Sequence, residues 1–519
     1  MTPWREDFLL SIRIFSASIN GIDAQAIEVE VDSSPGIHSF NIVGLPDKAV
    51  QESKDRLASA IKNSGFLPPN SKNKKITINL APADIKKEGP AYDLPIAIGY
   101  LLETGQIRFD ASNRLFLGEL SLDGSLRHAN GVLASAILAK RMGFNEIIIP
   151  AENAGEAAVV EGIGAIGARS IGEVISHLDG TRRIAPLKAE FLGKIPNVHD
   201  NSLLFIKGQE TAKRALVIAA AGGHNLLMGG APGTGKTLLA RALSEILPPL
   251  SFEEAIEVAK IYSASGLTKD SSLSFRRPFR NPHHTTSAVA MVGGGTWPKP
   301  GEISLAHRGV LFLDEFPEFP RNVLESLRQP LEDGQVTISR ASGSVSLPAK
   351  FMLVAAMNPC PCGNYGDSVN ACICPMTAVM NYRKKISGPL IDRIDIQVMV
   401  PRETVSSEEN GTLPEKVEEI KKNITLARQI QAERFKNLPI FCNAEINHKN
   451  IDKCCKLEKS AESLLRHAIN AKGLSLRSYH KIKKISRTIA DLEQSEPIQQ
   501  HHVAEALSLR INEKITELF

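Results

Sequence analysis

The chain has 519 residues, 43% of them hydrophobic and 23% charged, with a formal net charge of +4. That length predicts roughly two to four domains, the composition is that of an ordinary globular chain, and so small a charge does not by itself indicate nucleic acid. The longest apolar runs, FMLVAAM and GVLASAILA, stay far below the ~18 residues of a membrane span, and MTPWREDFLLSIRIF has no signal-peptide core with a cleavage site, so no membrane contact and a cytoplasmic location are expected.

Residues 1–185 form the first expected domain, of α+β type. AIEVEV alternates Ile27, Val29 and Val31 with Glu28 and Glu30, the period of a half-buried strand. DKAVQESKDRLASAIKNSG is helical text, stopped by Gly65 and the Pro68–Pro69 pair. KKITINL predicts a second strand, and GVLASAILAKRMG a helix feeding the strand EIIIP. A polar linker is expected over 186–203. Residues 204–400 form the expected catalytic core. From 401 to 435 the chain is charged, a linker followed by a helix. The rest of 401–519 predicts a C-terminal helical domain, with Leu464, Leu465 and Ile469, then Ile482, Ile485, Ile489 and Leu492, at helical spacing.

The core opens with a phosphate loop. It runs through Gly230, Ala231, Pro232, Gly233, Thr234, Gly235, Lys236 and Thr237, between the strand text HNLLM and the helix text TLLARALSEIL. Glycines let backbone N–H groups turn inward on the phosphates. Lys236 brings a point charge to the terminal phosphates, and the Thr237 hydroxyl is placed to hold magnesium. ATP and Mg2+ are therefore the expected cofactors. A second element, GVLFLDEF, is a buried strand over Val310 to Leu313 that ends in Asp314 and Glu315. Two acids after a buried strand are costly without a task. Asp314 is expected to coordinate magnesium, mostly through water, and Glu315 to orient and deprotonate the attacking water.

A third strand, KFMLVAAMNP, ends in Asn358, whose amide can hold the attacking water or sense the terminal phosphate. Asparagine before proline is also an ordinary turn signal. Arg393 stands between Asp392 and Asp395, ahead of the strand IDIQVMV. It is either a salt-bridged surface residue or a finger that reaches a neighbouring subunit's ATP. Arg477 opens a C-terminal helix and can close over the phosphates of its own subunit, with Arg487 as its rival.

Seven cysteines are present, four of them in CPCGNYGDSVNACIC, which argues against a disulfide framework. Cys360, Cys362, Cys372 and Cys374 form two pairs that can close as a tetrahedral zinc site, although common structural pairs leave more than one residue between ligands. Such a site would brace the loop after Asn358. Four unlinked thiols are the alternative. KGLSLRSYHKIKKISR, residues 472–487, holds six Lys/Arg and no acid. Lys481, Lys483 and Lys484 are either part of a solvated helix face or a surface for the DNA backbone. Arg276, Arg277 and Arg280 precede His283 and His284 and then a glycine run, and are expected in a mobile loop over a channel. No third ligand near the two histidines suggests metal. RQPLEDGQVTISRASGSVSLPAKF predicts a hairpin, with EDGQ as its turn and Val336 and Ile338 on its first strand.

These stretches, with KGQETAKRALVIAAAGGHNLLMGGAPGTGKT, FRNPHHTTSAVAMVGGG, PKPGEISLAHRGVLFLDEFPEF, NPCPCG, SGPLIDRIDI and KISRTIADL, resemble the magnesium-chelatase-like AAA+ ATPases, and among them the ComM/YifB family. The resemblance runs end to end. It implies an α/β fold: a P-loop AAA+ core, an N-terminal S5-like α+β domain of the kind found in Lon proteases, and a C-terminal helical lid. It implies a homo-oligomer, a hexameric ring, that uses ATP to move on single-stranded and branched DNA and drives branch migration in recombination and uptake of transforming DNA. Asn358 would be sensor 1, Arg393 the finger in trans and Arg477 sensor 2. Lon proteases place a catalytic serine after glycine-proline, whereas here Gly89 and Pro90 precede Ala91, and the catalytic lysine falls near Leu133. Neither Tyr92 nor His128 is expected to replace the pair, so the domain is expected to be protease-dead. The alternative function is the motor subunit of a chelatase, which needs an integrin-like metal-binding partner segment that this chain lacks. A proteolytic or chaperone ring is a third, weakened by the missing pair.

Overall fold

The computed structural model describes residues 12–71, 73–87, 89–188, 202–268, 273–295, 299–340, 343–367, 370–402 and 412–510. The chain divides into two units, residues 1–193 with 255–274, and residues 194–254 with 275–519. The segment 255–274, expected inside the catalytic core, therefore groups with the N-terminal unit. Gly131 N–H donates to Ser263 O (3.2 Å) and Lys260 pairs with Asp23 (2.5 Å), which ties it there. No described helix is long and apolar enough to cross a membrane.

The first unit is built on β1 (Ile12–Asn20), β2 (Asp23–Pro35), β3 (Ser39–Val43), β4 (Lys74–Ala81), β5 (Arg114–Phe116), β6 (Glu119–Leu120), β7 (Leu126–Arg127), β8 (Glu146–Pro150) and β9 (Gly164–Ala168). Seven of these form a mixed sheet in the order β3-β4-β2-β1-β5-β8-β9, and β6 and β7 pair separately. Ile27, Val29 and Val31 are fully buried on one face of β2, as the alternation predicts. Helices α1 (Lys48–Asn63), α2 (Asp93–Glu103), α3 (Val132–Arg141), α4 (Ala154–Ala158) and α5 (Ile171–Leu178) complete it. Asp47 caps α1 by accepting from Val50 N–H (2.8 Å), a polar start that fixes the helix entry. Ala91 carries no hydroxyl, Leu133 and Tyr92 are buried in the packing, and His128 is exposed.

The second unit begins with α6 (Glu210–Gly222), β10 (Leu226–Gly229), α7 (Lys236–Ile246) and the first turn of α8 (Phe252–Ser265). There follow β11 (Phe279–Arg280), α9 (Ala288–Val292), β12 (Gly293–Gly294), β13 (Lys299–Pro300), α10 (Glu302–Leu305) and β14 (Val310–Leu313). Then come α11 (Arg321–Ser326), α12 (Pro330–Asp333), β15 (Gln335–Arg340), β16 (Gly343–Pro348), β17 (Met352–Met357), α13 (Met376–Lys384), α14 (Gly388–Ile391) and β18 (Ile396–Met399). The unit closes with α15 (Pro414–Arg434), α16 (Ile451–Cys454), α17 (Lys459–Lys472), α18 (Leu476–Leu492) and α19 (Gln500–Ser508). Its main sheet is all parallel, in the order β11-β14-β17-β10-β18. Every residue of β10, β14 and β17 is buried, which is why these strands appear as unbroken apolar runs.

One hydrophobic core holds Leu226, Val354 and Ile396 of the sheet together with Ile424, Ile482, Ile489 and Val503 of the C-terminal helices. These helices pack on the sheet instead of enclosing a core of their own. Gln431 donates to Ala221 O (2.9 Å), and the His224 ring bonds Thr488 Oγ1 (2.8 Å). The hairpin β15–β16 is present, but EDGQ is not its turn. Gly334, at φ +66°, ends α12 and delivers the chain into β15. The two strands pair as far as Arg340 and Gly343, and residues 341–342 lie outside the described residues.

Candidate nucleotide-binding site

The carboxyl ends of β10, β14 and β17 converge on the phosphate loop. Gly230 follows β10 directly, and a β-carbon there would sit 2.4 Å from Val400 O, so only glycine lets the chain turn. Gly233 and Gly235 take positive φ, and α7 starts at Lys236. The Lys236 ammonium donates to Gly230 O and Ala231 O (2.8 Å each) and to Asn358 Oδ1 (3.3 Å). Burial pushes Lys236 down to about 8, against the opposing pull of Asp314. Thr237 Oγ1 donates to Asp314 Oδ2 (2.8 Å), and Glu315 N–H donates to Asp314 Oδ1 (3.0 Å). Phosphate donors, a lysine and hard oxygen ligands thus meet at one end of the sheet, which fits a magnesium–nucleotide.

Glu315 itself sits at φ +52°, a conformation a non-glycine residue adopts only under constraint. His284 meets its side chain: its Nδ1 lies 3.2 Å from Glu315 Oε2, and its ring lies tilted beside His283 (4.1 Å) and edges on Phe319 (6.5 Å). In the sequence the histidine pair has no third ligand beside it. Its partner is the carboxylate 31 positions on, a distance no local motif encodes.

The loop after Asn358 brings the four cysteines together. Cys360, Cys362 and Cys372 have their sulfurs 3.4–3.6 Å apart, and all four sulfurs lie within 4.8 Å of one another. Tetrahedral zinc with ~2.3 Å bonds needs sulfurs ~3.8 Å apart, so the quartet fits. Backbone N–H groups of Tyr365 and Cys374 point at Cys360 and Cys372 (3.3 and 3.4 Å). Hydrogen bonds from the Asn364 and Ile373 backbone pull the Cys362 thiol down to about 6. Gly363 lies against the phosphate loop, where a β-carbon would meet Pro232 Cδ and Cγ at 2.5 Å. Arg383 of α13 holds the other side, donating to Pro359 O (3.3 and 3.2 Å) and lying over the Tyr365 ring. A second cluster, Glu493, His501 and His502, is no metal site. His502 Nδ1 accepts from Gln499 N–H (2.9 Å), so its neutral ring carries the proton on Nε2, which faces Glu493.

The two arginines stand at the other edge of the sheet. Asn225, just before β10, donates from N–H to Asp395 Oδ2 (2.9 Å) and from Nδ2 to Arg393 O (3.1 Å), and accepts from Leu353 N–H (2.8 Å). It pins the amino ends of three strands. Four residues of strand, ~13 Å, separate that edge from the phosphate loop. Arg393 pairs with neither flanking acid. It pairs with Glu332 of α12 and donates to Pro389 O (2.7 Å). Arg477 pairs with the same Glu332. Closure of Arg477 over its own subunit's phosphates does not agree with this placement. Its rival Arg487 is buried, bonded to Asp491 (3.0 Å) and to the Ser495 and Glu496 carbonyls.

The expected DNA surface also needs correction. Lys481 pairs with Asp395 (2.8 Å), Lys483 with Asp452 (2.7 Å), and Lys484 donates to Ala444 O (2.9 Å). Lys483 is 3% exposed. Burial pushes the Asp395 carboxyl up, but Lys481, His224 and the Asn225 N–H outweigh it and hold it well below the usual carboxylate range. Lys481, Lys483 and Lys484 therefore tie α18 to its neighbours and offer no free surface. Arg277 is likewise bound to Glu254 (2.9 Å) and Arg280 to Glu302 (2.6 Å), so these two arginines anchor the start of β11 and not a mobile loop.

Comparison with known proteins places this architecture. Family models for magnesium chelatase subunit ChlI match residues 202–408, for subunit ChlI of Mg-chelatase residues 29–153, and for the ChlI C-terminal region residues 414–510. The chain is 45% identical over 513 residues to competence protein ComM of Haemophilus influenzae, covering 96% of this chain and 97% of the relative. It is 42% identical to the uncharacterized protein YifB of Escherichia coli K12 over 500 residues, 95% of this chain and 96% of the relative. YifB of Salmonella typhimurium is also 42% identical, over 499 residues, with the same two shares.

Proposed function

This chain belongs to the ComM/YifB family of magnesium-chelatase-like AAA+ ATPases, and we propose that it works as a hexameric ring that hydrolyses ATP to move on DNA and push branch points during recombination and DNA uptake. The observation that carries the ring is the split of the site. Loop, lysine, acids and Asn358 lie at the carboxyl edge of the sheet, while Arg393 and Arg477 lie at the amino edge. Neither arginine serves its own phosphates from there, so each serves the phosphates of a neighbouring copy. Arg477 is thus proposed in trans together with Arg393.

Within one copy, Lys236 and the loop N–H groups bind the phosphates, and Thr237 and Asp314 hold magnesium. Glu315 takes the proton of the attacking water, which Asn358 helps orient. Zinc on Cys360, Cys362, Cys372 and Cys374 braces the loop that carries Asn358 and abuts Pro232. The N-terminal unit acts as an S5-like scaffold without peptidase chemistry, since Ala91 and Leu133 supply neither nucleophile nor base. The hairpin β15–β16, with Thr337 and Ser339 exposed, is the lever proposed to meet DNA in the channel.

The DNA reading draws on a relative named as a competence protein. The test is a labelled three-strand junction incubated with purified protein, ATP and magnesium. Resolution into a displaced strand and a new duplex is expected, with DNA-stimulated ATPase, and Glu315→Gln should abolish both. A ring-forming preparation whose ATPase ignores DNA and which leaves the junction intact would return the chelatase-type motor to first place.

A further inference from the structure

We propose that Glu332 stands in for the neighbour's phosphate: it holds Arg393 and Arg477 paired in the separate chain, and their transfer from this carboxylate to phosphate makes ring closure depend on nucleotide. The proposal rests on both arginines acting in trans. Its basis is one side chain shared by two elements. Glu332 Oε2 takes Arg393 Nη2, and Glu332 Oε1 takes Arg477 Nη2. Asp395, which lines the same cavity, is committed elsewhere, to Lys481 and to Asn225 N–H. One carboxylate carries one charge against two guanidinium groups. A nucleotide phosphate carries more charge and accepts from both in bidentate fashion.

The geometry favours exchange over swinging. Arg393 is 12% exposed and its Nη1 is anchored on Pro389 O, so the guanidinium is already in position. Glu332 is 46% exposed, and ion pairs that open to water are weak. A cavity of about 580 Å3, lined in part by Glu332, Asp333, Arg393, Asp395, Arg477 and Lys484, opens beside them. That is room for a phosphate group to reach the two guanidinium groups. Without Glu332, the arginines are free for phosphate from the outset, and less nucleotide is needed to close the ring.

The experiment titrates full-length protein with a non-hydrolysable ATP analogue and follows assembly by sedimentation, with steady-state ATPase measured alongside. Glu332→Gln should lower the nucleotide midpoint of assembly and the KM for ATP by about threefold or more while keeping kcat. Glu332→Asp, which keeps the charge, should stay near the parent. An unchanged midpoint in Glu332→Gln overturns the proposal, as does a loss of kcat in soluble protein of normal melting temperature, because Glu332 then supports the arginines and does not compete for them. Glu332→Ser is the second test with the same expectation, and failure of both variants to give soluble chain makes the carboxylate a fold-holding tether, which also overturns it. Mixing Arg393→Ala with Lys236→Ala protomers separates the two levels. Recovered turnover with an unmoved Glu332→Gln midpoint sinks this proposal alone, and no recovery in mixed rings sinks the shared site and this proposal with it.

Discussion

Lys236 donates to three oxygens of its own site: two loop carbonyls and the amide of Asn358. Burial lowers it to about 8, so it is charged below that pH and neutral above it. Bound phosphate favours the charged form and raises its pKa, so binding takes up a proton above pH 8. ATP affinity should therefore be fully present below pH 8 and fall by about tenfold per pH unit as pH rises further. Lys236→Arg, which stays charged, should flatten that limb. Isothermal titration from pH 7 to 10 checks both, and a flat profile in the unsubstituted protein removes the lowered lysine from nucleotide binding. The identity of this lysine was legible from its seven neighbours in one loop. The His284 contact to Glu315 and the Glu332 bridge were not, since neither residue carries a pattern of its own.

At the scale of elements, β17, the cysteine loop and α13 act as one brace. Asn358 directly follows the strand, Gly363 rests on Pro232, and Arg383 closes on Pro359 O. Elemental analysis should find about one zinc per chain, falling on Cys360→Ser or Cys374→Ser. Stripping the metal with chelator should lower ATPase more than it lowers the melting temperature of the whole chain, because the loop touches the phosphate loop directly. Affinity for the metal should weaken in acid, since thiolate ligands compete with protons. Metal-free protein with full ATPase would leave four ordinary thiols. The same scale corrects the hairpin: Gly334 is a helix terminus and not a strand reversal, because Glu332 and Asp333 belong to the proline-started turn of helix that it ends.

For the whole molecule, the decisive arrangement is the opposition of the two sheet edges. On the proposed trans assignment, an arginine at the amino edge and a lysine at the carboxyl edge of one parallel sheet belong to separate sites, and hydrolysis needs two copies. Arg393→Ala and Lys236→Ala should each be inactive alone. Mixed in one ring, they should recover part of the turnover, because a Lys236-intact site can face an Arg393-intact neighbour. Turnover in mixtures of differently tagged, co-purified protomers checks this, and none in rings proven mixed excludes the trans assignment. Charge reversal of Lys483, by contrast, should lower stability before it lowers DNA affinity, since Lys483 is buried on Asp452.

By itself the amino-acid sequence determined the phosphate loop, the acids after β14 and the buried parallel strands. Each is written in contiguous residues whose spacing and chemistry survive any packing. Only the tertiary structure decided which charges are free. The acid-free run 472–487 resembled an open basic face because its partners are elsewhere in the chain. Asp452 is 31 positions from Lys483, and Glu332 is 145 from Arg477. The closeness of four sulfurs joined by weak C-x-C spacing was settled in the same way. So was the edge of the sheet that each arginine occupies, because a linear spacing fixes neither fold-back distance nor the direction a strand runs.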